Sequence, residues 1–142
     1  MSNINWSDEL SISNFKIDEQ HRKLIDIANN LLQAIHKNAP KKEFSTILHG
    51  LREYTVFHFN DEEEYMKSIG YPYLNQHVDE HMQIKKKVKD FQHSVFVGDY
   101  IDKNLIREML KSWLIDHILN CDLKIKEYIN SKESEKNSNT GK

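Results

Sequence analysis

The chain has 142 residues, enough for one domain with a substantial core, and a formal net charge of −2 with both signs interspersed. A hydrophobic fraction of 38% and a charged fraction of 30% describe a soluble globular protein, and the charge balance gives no basis for a nucleic-acid or anionic-membrane partner. Four Gly and two Pro argue against a loop-rich or all-β fold, and no apolar run approaches the roughly 20 residues of a membrane span.

The first residues, Met1 to Trp6, lack the basic region and apolar stretch of a signal peptide, and Cys121 has no partner for an internal disulfide. A cytoplasmic location is therefore expected. Residues 1–17 are too short for a domain, but Trp6, Leu10, Ile12, Phe15 and Ile17 predict an arm packed against the rest of the chain.

Helical periodicity begins at Asp18, a reasonable N-cap, and runs to about Asn38 through the apolar stripe Leu24, Ile25, Ala28, Leu31, Leu32 and Ile35. Pro40 interrupts it. A second helix starts near Lys41 with Phe44, Ile47, Leu48, Leu51, Thr55 and Met66 on one face, and Gly70-Tyr71-Pro72 ends it. The third starts near Leu74, with Leu74, His77, His81, Ile84, Val88, Phe91 and Val95 inward, and closes at Gly98-Asp99. Asp102 is placed to cap a fourth helix that ends near Asn130. Short connections between four such helices predict an all-α, antiparallel up-down-up-down four-helix bundle over residues 1–130, N-terminal arm included. The stretch Ser131–Lys142 has no apolar residue and is expected to be a short disordered tail.

The histidines fall on these helices in a pattern. His21 lies on the stripe of the first helix. His58 and Glu62 are four apart on the second, and His77 and His81 are four apart on the third. His117 follows Trp113 by one turn on the fourth, and Asp122 comes soon after. Side chains at i and i+4 leave a helix on one side, roughly 6 Å apart, close enough to share a metal. Seven candidate ligands thus face inward from four helices, and burying them without strong partners would cost several kcal/mol. Five imidazoles, two bridging carboxylates and a shared hydroxide or oxide fill eleven of the twelve positions of two octahedral ions, leaving one open. The set is all nitrogen and oxygen, which suits iron or manganese better than structural zinc; iron is the choice because an open site beside a second iron allows two-electron chemistry with dioxygen.

His117 and Asp122 are five apart, about 140° on a regular α-helix. The inward stripe Ile106, Leu110, Trp113, His117 resumes one residue late at Asp122, Ile125 and Ile129, which predicts a single π-type turn between them.

The order Asp18-Glu19-Gln20-His21, His58-Phe59-Asn60-Asp61-Glu62-Glu63, His77-x3-His81 and Trp113-Leu114-Ile115-Asp116-His117-Ile118-x3-Asp122 resembles the hemerythrin family, particularly its single-domain bacterial members. The resemblance runs from Trp6 to about Tyr128. It implies that His77, His81 and His117 hold one fully coordinated iron and that His21 and His58 hold the other, which keeps the vacant position. Glu62, Asp122 and a hydroxide or oxide would bridge the two. Dioxygen would bind reversibly at the vacancy, taking two electrons from the pair and returning them on release. Trp113, Leu114 and Ile118 flank His117 and are expected to wall a dry pocket that slows protonation and loss of the bound ligand.

His36, His49 and His93 fit no ligand position and read as helix-surface residues. Glu63, Glu64, Asp79 and Glu80 read as solvated or as partners that orient ligand imidazoles. Cys121 reads as a small packed hydrophobe and Lys85-Lys86-Lys87 as a solvated helix face. Trp113 and Tyr54 fit core packing as well as a pocket role.

The leading expectation is a non-enzymatic oxygen carrier, store or delivery protein. The alternatives are a diiron enzyme or scavenger of peroxide or nitric oxide, an oxygen or redox sensor, and an iron store. Carboxylate-rich diiron oxidases carry Glu-x-x-His, which is absent here, so histidine-rich ligation favours binding. Oligomeric state is left open, a monomer among the options.

Overall fold

The computed structural model describes residues 4–97 and 103–140. Helix α1 spans Phe15–His36, α2 Lys41–Ser68 and α3 Leu74–Phe96. The fourth rod begins as α4, Lys103–Leu110, passes through π-helical stretches at Lys111–Asp116 and Ile118–Asp122, and ends as α5, Leu123–Thr140. Together they make the expected four-helix bundle, with α1 packed on α2, α2 on α3 and α4 against α1.

Each boundary has a local cause. Helix α1 starts three residues before the expected Asp18, because Asn14 is its N-cap and accepts from the Ile17 amide at 3.0 Å. Asp18 serves the arm instead: its carboxylate accepts from Ser11 Oγ at 2.6 Å and from the Ile12 amide at 2.9 Å. Asn38 at φ 53° turns the chain out of α1, and Pro40 sets the start of α2. Gly70, at φ +67°, takes the left-handed conformation that terminates α2, as expected of the Gly-Tyr-Pro break. The break at Gly98-Asp99 and the cap at Asp102 lie outside the described residues, as do the first three residues of the chain and its last two.

The arm packs through Ile4, Leu10, Ile12 and Ile17, all buried, and through the half-buried Trp6. Asn29 of α1 clamps it by exchanging two 2.8 Å hydrogen bonds with the Ile4 backbone. Phe15 departs from the expectation. It is 82% exposed, because the helix that begins there turns its side chain outward while Ile17 and Gln20 face in.

The stripes predicted for α1 and α2 form the main core with Ile106, Leu110 and Ile118. A second cluster, Ile12, Ile17, Met66, Tyr71 and Ile125, closes the end of the bundle where the arm arrives. Phe59, Ile84 and Val88 form a third on the α2–α3 side. The fourth rod runs helical to Thr140, ten residues beyond Asn130. Residues 131–134, which carry no apolar side chain, are exposed.

Candidate metal centre

Between the core clusters the four rods converge on polar side chains. His21, His58, Glu62, His77, His81, His117 and Asp122, the seven residues singled out from the sequence, are all buried, and Glu62, His81 and Asp122 have no exposed surface. On α2 and α3 the four-residue spacing places the pairs His58/Glu62 and His77/His81 on the inward face. On the fourth rod the π-helical stretch returns Asp122 to the side of His117. The distortion is more extensive than the single expected turn, since a π-helical stretch also precedes His117.

The carboxylates divide the histidines into two sets. Glu62 Oε1 lies 3.0 Å from Nε2 of His77 and of His81, whereas Oε2 lies 3.3 Å from His21 and 3.2 Å from His58. Asp122 Oδ1 lies 2.8 Å from His77 and 3.1 Å from His117, whereas Oδ2 lies 3.0 Å from His21. One oxygen of each carboxylate therefore faces each set.

Hydrogen bonding does not account for this packing. Nε2 of His21, His77 and His117, Oε2 of Glu62 and both oxygens of Asp122 are buried without a hydrogen-bond partner of acceptable direction. Metal coordination does. Bonds of about 2.1 Å meeting at right angles put neighbouring ligand atoms about 3.0 Å apart, and the observed separations run from 2.8 to 3.3 Å. Two ligand groups result, Glu62/His77/His81/His117/Asp122 and His21/His58/Glu62/Asp122, each with its donor atoms within 4.8 Å of one another. The residues fit a two-metal site, five donors on one side and four on the other.

Electrostatics show what the ligands do without a cation. Burial alone would lower the His21 pKa, but the Asp122 and Glu62 carboxylates, 3.0 and 3.3 Å away, outweigh it and raise it to about 9. His77 rises to about 9 by the same opposition. His117 is raised well above its usual range against its burial, chiefly by the Asp122 charge. His58 moves the other way, because burial dominates. Burial would raise both carboxyls, yet the imidazoles hold Glu62 and Asp122 well below the carboxylate range. Protons thus stand in for metal, and metal would have to displace them.

Outer partners fix the rings. Gln20 Oε1 accepts from His58 Nδ1 at 2.8 Å, while its Nε2 donates to Asp61 at 2.7 Å, and Lys16 pairs with Asp61 at 3.4 Å. Glu63 accepts from His81 Nδ1 at 2.8 Å, so of the four acidic residues considered it is the one that orients a ring closely; Glu80 stands 3.9 Å from His117 Nδ1. Phe59 stacks on His81, centroids 3.7 Å apart and 5° from parallel. Sequence reasoning assigned no role to Gln20 or Phe59. The signal available was position alone, each standing directly beside a ligand histidine.

Trp113, Leu114 and Ile118 line a cavity of ≈ 30 Å³ that also borders His21, His58 and His117. Neither His77 nor His81 reaches it. Its remaining wall is mainly apolar, and its one hydroxyl, Thr55 Oγ1, donates to the Leu51 carbonyl at 2.7 Å. Tyr54 is not part of that lining and tilts against Phe57. Cys121 is half-buried rather than packed inside, with its sulfur within 4.8 Å of His117 and Glu80 donor atoms. His36, His49 and His93 are exposed, as expected.

A four-helix bundle that gathers five histidines and two carboxylates at its centre defines a class of histidine-rich, bundle-held metal proteins. Residues 14–129 match the model of the hemerythrin HHE cation-binding domain, and the chain belongs to the hemerythrin family. It is 38% identical over 130 residues to a bacteriohemerythrin of Clostridium acetobutylicum, covering 87% of this chain and 97% of that one. A bacteriohemerythrin of Stenotrophomonas maltophilia is 33% identical over 117 residues, 82% of this chain and 75% of the relative. The crystal structure of a wild-type hemerythrin superposes with a TM-score of 0.78 at 26% identity, covering 89% of this chain and 95% of that one.

Proposed function

We propose that this chain holds two iron ions bridged by Glu62, Asp122 and a hydroxide or oxide, and that it binds dioxygen reversibly as a carrier, store or delivery protein. The carrying observation is the split of the carboxylate oxygens, one from each carboxylate to each histidine set, with the mainly apolar cavity bordered by both His21 and His58 but only by His117 of the other set. His77, His81 and His117 would hold one ion and His21 and His58 the other. A bound iron pair would supply two electrons to dioxygen and take them back.

The chain's own residues favour release over turnover. Trp113, Leu114 and Ile118 give the cavity an apolar wall that offers water no hydrogen-bond partner. The Thr55 proton is committed to a backbone carbonyl and Asp122 is held ionised, and metal at His21, His58 and His117 would displace their protons, which would leave the cavity without a general acid. Gln20 and Glu63 keep the Nε2 atoms of His58 and His81 turned inward by holding Nδ1. No helix of the described residues is long and apolar enough to cross a membrane, and the lone cysteine supports a reducing cytoplasm.

The test is anaerobic titration of the reduced protein with dioxygen, followed by evacuation and by assay for peroxide turnover. One dioxygen per chain, recovered on evacuation, is the expected result. Steady consumption of peroxide, or oxygen uptake that cannot be reversed, would instead make the protein an enzyme or scavenger.

A further inference from the structure

Two spaces in the molecule share a wall. The inner cavity beside His21 and His58 is bounded in part by Thr55 of α2 and Val88 of α3. The same two residues form the floor of a surface groove of ≈ 290 Å³ between those helices, whose other lining residues are Arg52, Val56, Lys85, Lys86 and Lys89. Thr55 and Val88 are 6% and 1% exposed, so the partition is closed. It is nevertheless only one side chain thick, because each of the two touches both spaces.

The groove carries four cations and no carboxylate among its lining residues. Arg52 is held across the seam by a 2.9 Å bond to Gln92 of α3. Lys85 is half-buried, Lys86 and Lys89 are exposed, and none of the three lysines makes an ion pair among the described residues. The opposite side of the cavity offers a contrast. There Leu110 and Trp113 separate it from a space walled only by apolar side chains, with no volume for a water-sized guest.

We infer that the α2–α3 seam at Thr55 and Val88 is the access portal of the inner cavity, and that Arg52, Lys85, Lys86 and Lys89 form a cationic collar that steers small monoanions of the azide, nitrite or superoxide class to it. The inference rests on the inner cavity being the ligand cavity. Small side chains suit a gate: a χ1 change at Thr55, which has two favoured wells in a helix, or a transient excursion at the stiffer Val88 moves one or two methyl-sized groups, whereas a path past Trp113 would have to swing an indole. The Thr55 hydroxyl, bonded to Leu51 at 2.7 Å, latches one leaf shut. A neutral guest would use the same seam without feeling the collar. Clefts lined by charge of one sign raise on-rates of oppositely charged ligands by about 10–1,000-fold at low ionic strength, and salt abolishes the effect.

Two measurements on the oxidised holoprotein test the portal. In the first, azide association is followed by stopped flow against ionic strength. The K85E/K86E/K89E variant should bind azide about tenfold or more slowly than wild type at low salt, with the two converging at high salt. Equal rates at low salt would overturn the collar. In the second, dioxygen quenching of the Trp113 fluorescence lifetime is measured in a Trp6→Phe background; Trp113 is half-buried, so the readout is the increase over the quenching that reaches it directly from solvent. Val88→Ala and Thr55→Val should raise the quenching rate several-fold, by more than Leu114→Ala, which opens the half-buried wall beside Trp113, and the charge variant should not change it. A rate that responds to Leu114→Ala and not to either seam variant would overturn the route. Normal gating of quenching in a protein that binds no azide would count against the proposed function and leave the portal standing.

Discussion

Gln20 offers the most informative single perturbation. It is 5% exposed and its amide bridges His58 Nδ1, at 2.8 Å, to Asp61, at 2.7 Å. In Gln20→Leu the shape is nearly kept, but the ring N–H of His58 loses its acceptor inside a closed core. An unsatisfied buried donor costs about 1–3 kcal/mol. Loss of an outer partner of a metal-bound histidine typically costs about 10–100-fold in affinity, which converts to about 1.4–2.8 kcal/mol. The first cost falls on the fold with or without metal, and the second is the further loss expected in metal binding. It should also be local, because His58 belongs to the four-donor group and not to the five-donor one. Chelator competition with metal analysis at each step should therefore show one ion leaving about 10–100-fold more easily and the other held as in wild type. Gln20→Glu retains the acceptor but sets a second carboxylate against Asp61, so it should recover affinity fully only in combination with Asp61→Asn. Wild-type affinity in Gln20→Leu, or equal loss of both ions, would refute the reasoning.

The cavity wall, the arm and the ligand histidines each set a further expected outcome. Leu114→Asn or Ile118→Asn brings a polar group and water to the cavity wall and should speed autoxidation of the oxygenated form about tenfold or more, read from decay of its visible band. Asp18→Ala removes the acceptor for Ser11 and Ile12 and should destabilise the chain by about 1–3 kcal/mol, lowering Tm by about 3–9 °C in thermal melts without altering metal content. In metal-free protein His21 and His77 titrate near 9 when folded, against 6.5 for the ordinary group. A raised pKa gives stability that is full below 6.5 and lost as pH climbs through 9, by up to about 3 kcal/mol per histidine. Denaturant melts should thus show the metal-free protein weakening from pH 6.5 to 9, while the metal-loaded protein, whose imidazoles are already neutral, holds steady. Stability of the metal-free protein that is level or rising over that window would contradict the proton-for-metal exchange.

Much of the site was legible because ligand positions obey helix geometry. Pairs four apart, His58/Glu62 and His77/His81, can meet one metal only on a helix, and both lie on stripes that the surrounding Leu, Ile and Val already mark as inward. The five-residue step from His117 to Asp122 was equally telling, since an inward stripe that slips by one residue requires a wider turn. The start of α1 was harder. Asn14 and Asp18 are both good caps, and only the arm's need for an acceptor at Ser11 and Ile12 decides between them. Gln20 was illegible for a related reason: its role depends on which residue of α2 it meets, and that is set by the relative rotation of two helices rather than by spacing within either. The shared wall at Thr55 and Val88 is likewise a property of how α2 and α3 pack, invisible in the periodicity of each.

A diiron site that binds dioxygen reversibly is tested most directly on one sample. Metal is quantified in anaerobically reduced protein and its visible spectrum is recorded before air, after air, and after the air is removed. The expected result is two irons per chain and a charge-transfer band that appears with oxygen and vanishes without it. Absence of iron, or a single irreversible change to a ferric spectrum, would contradict the proposed function.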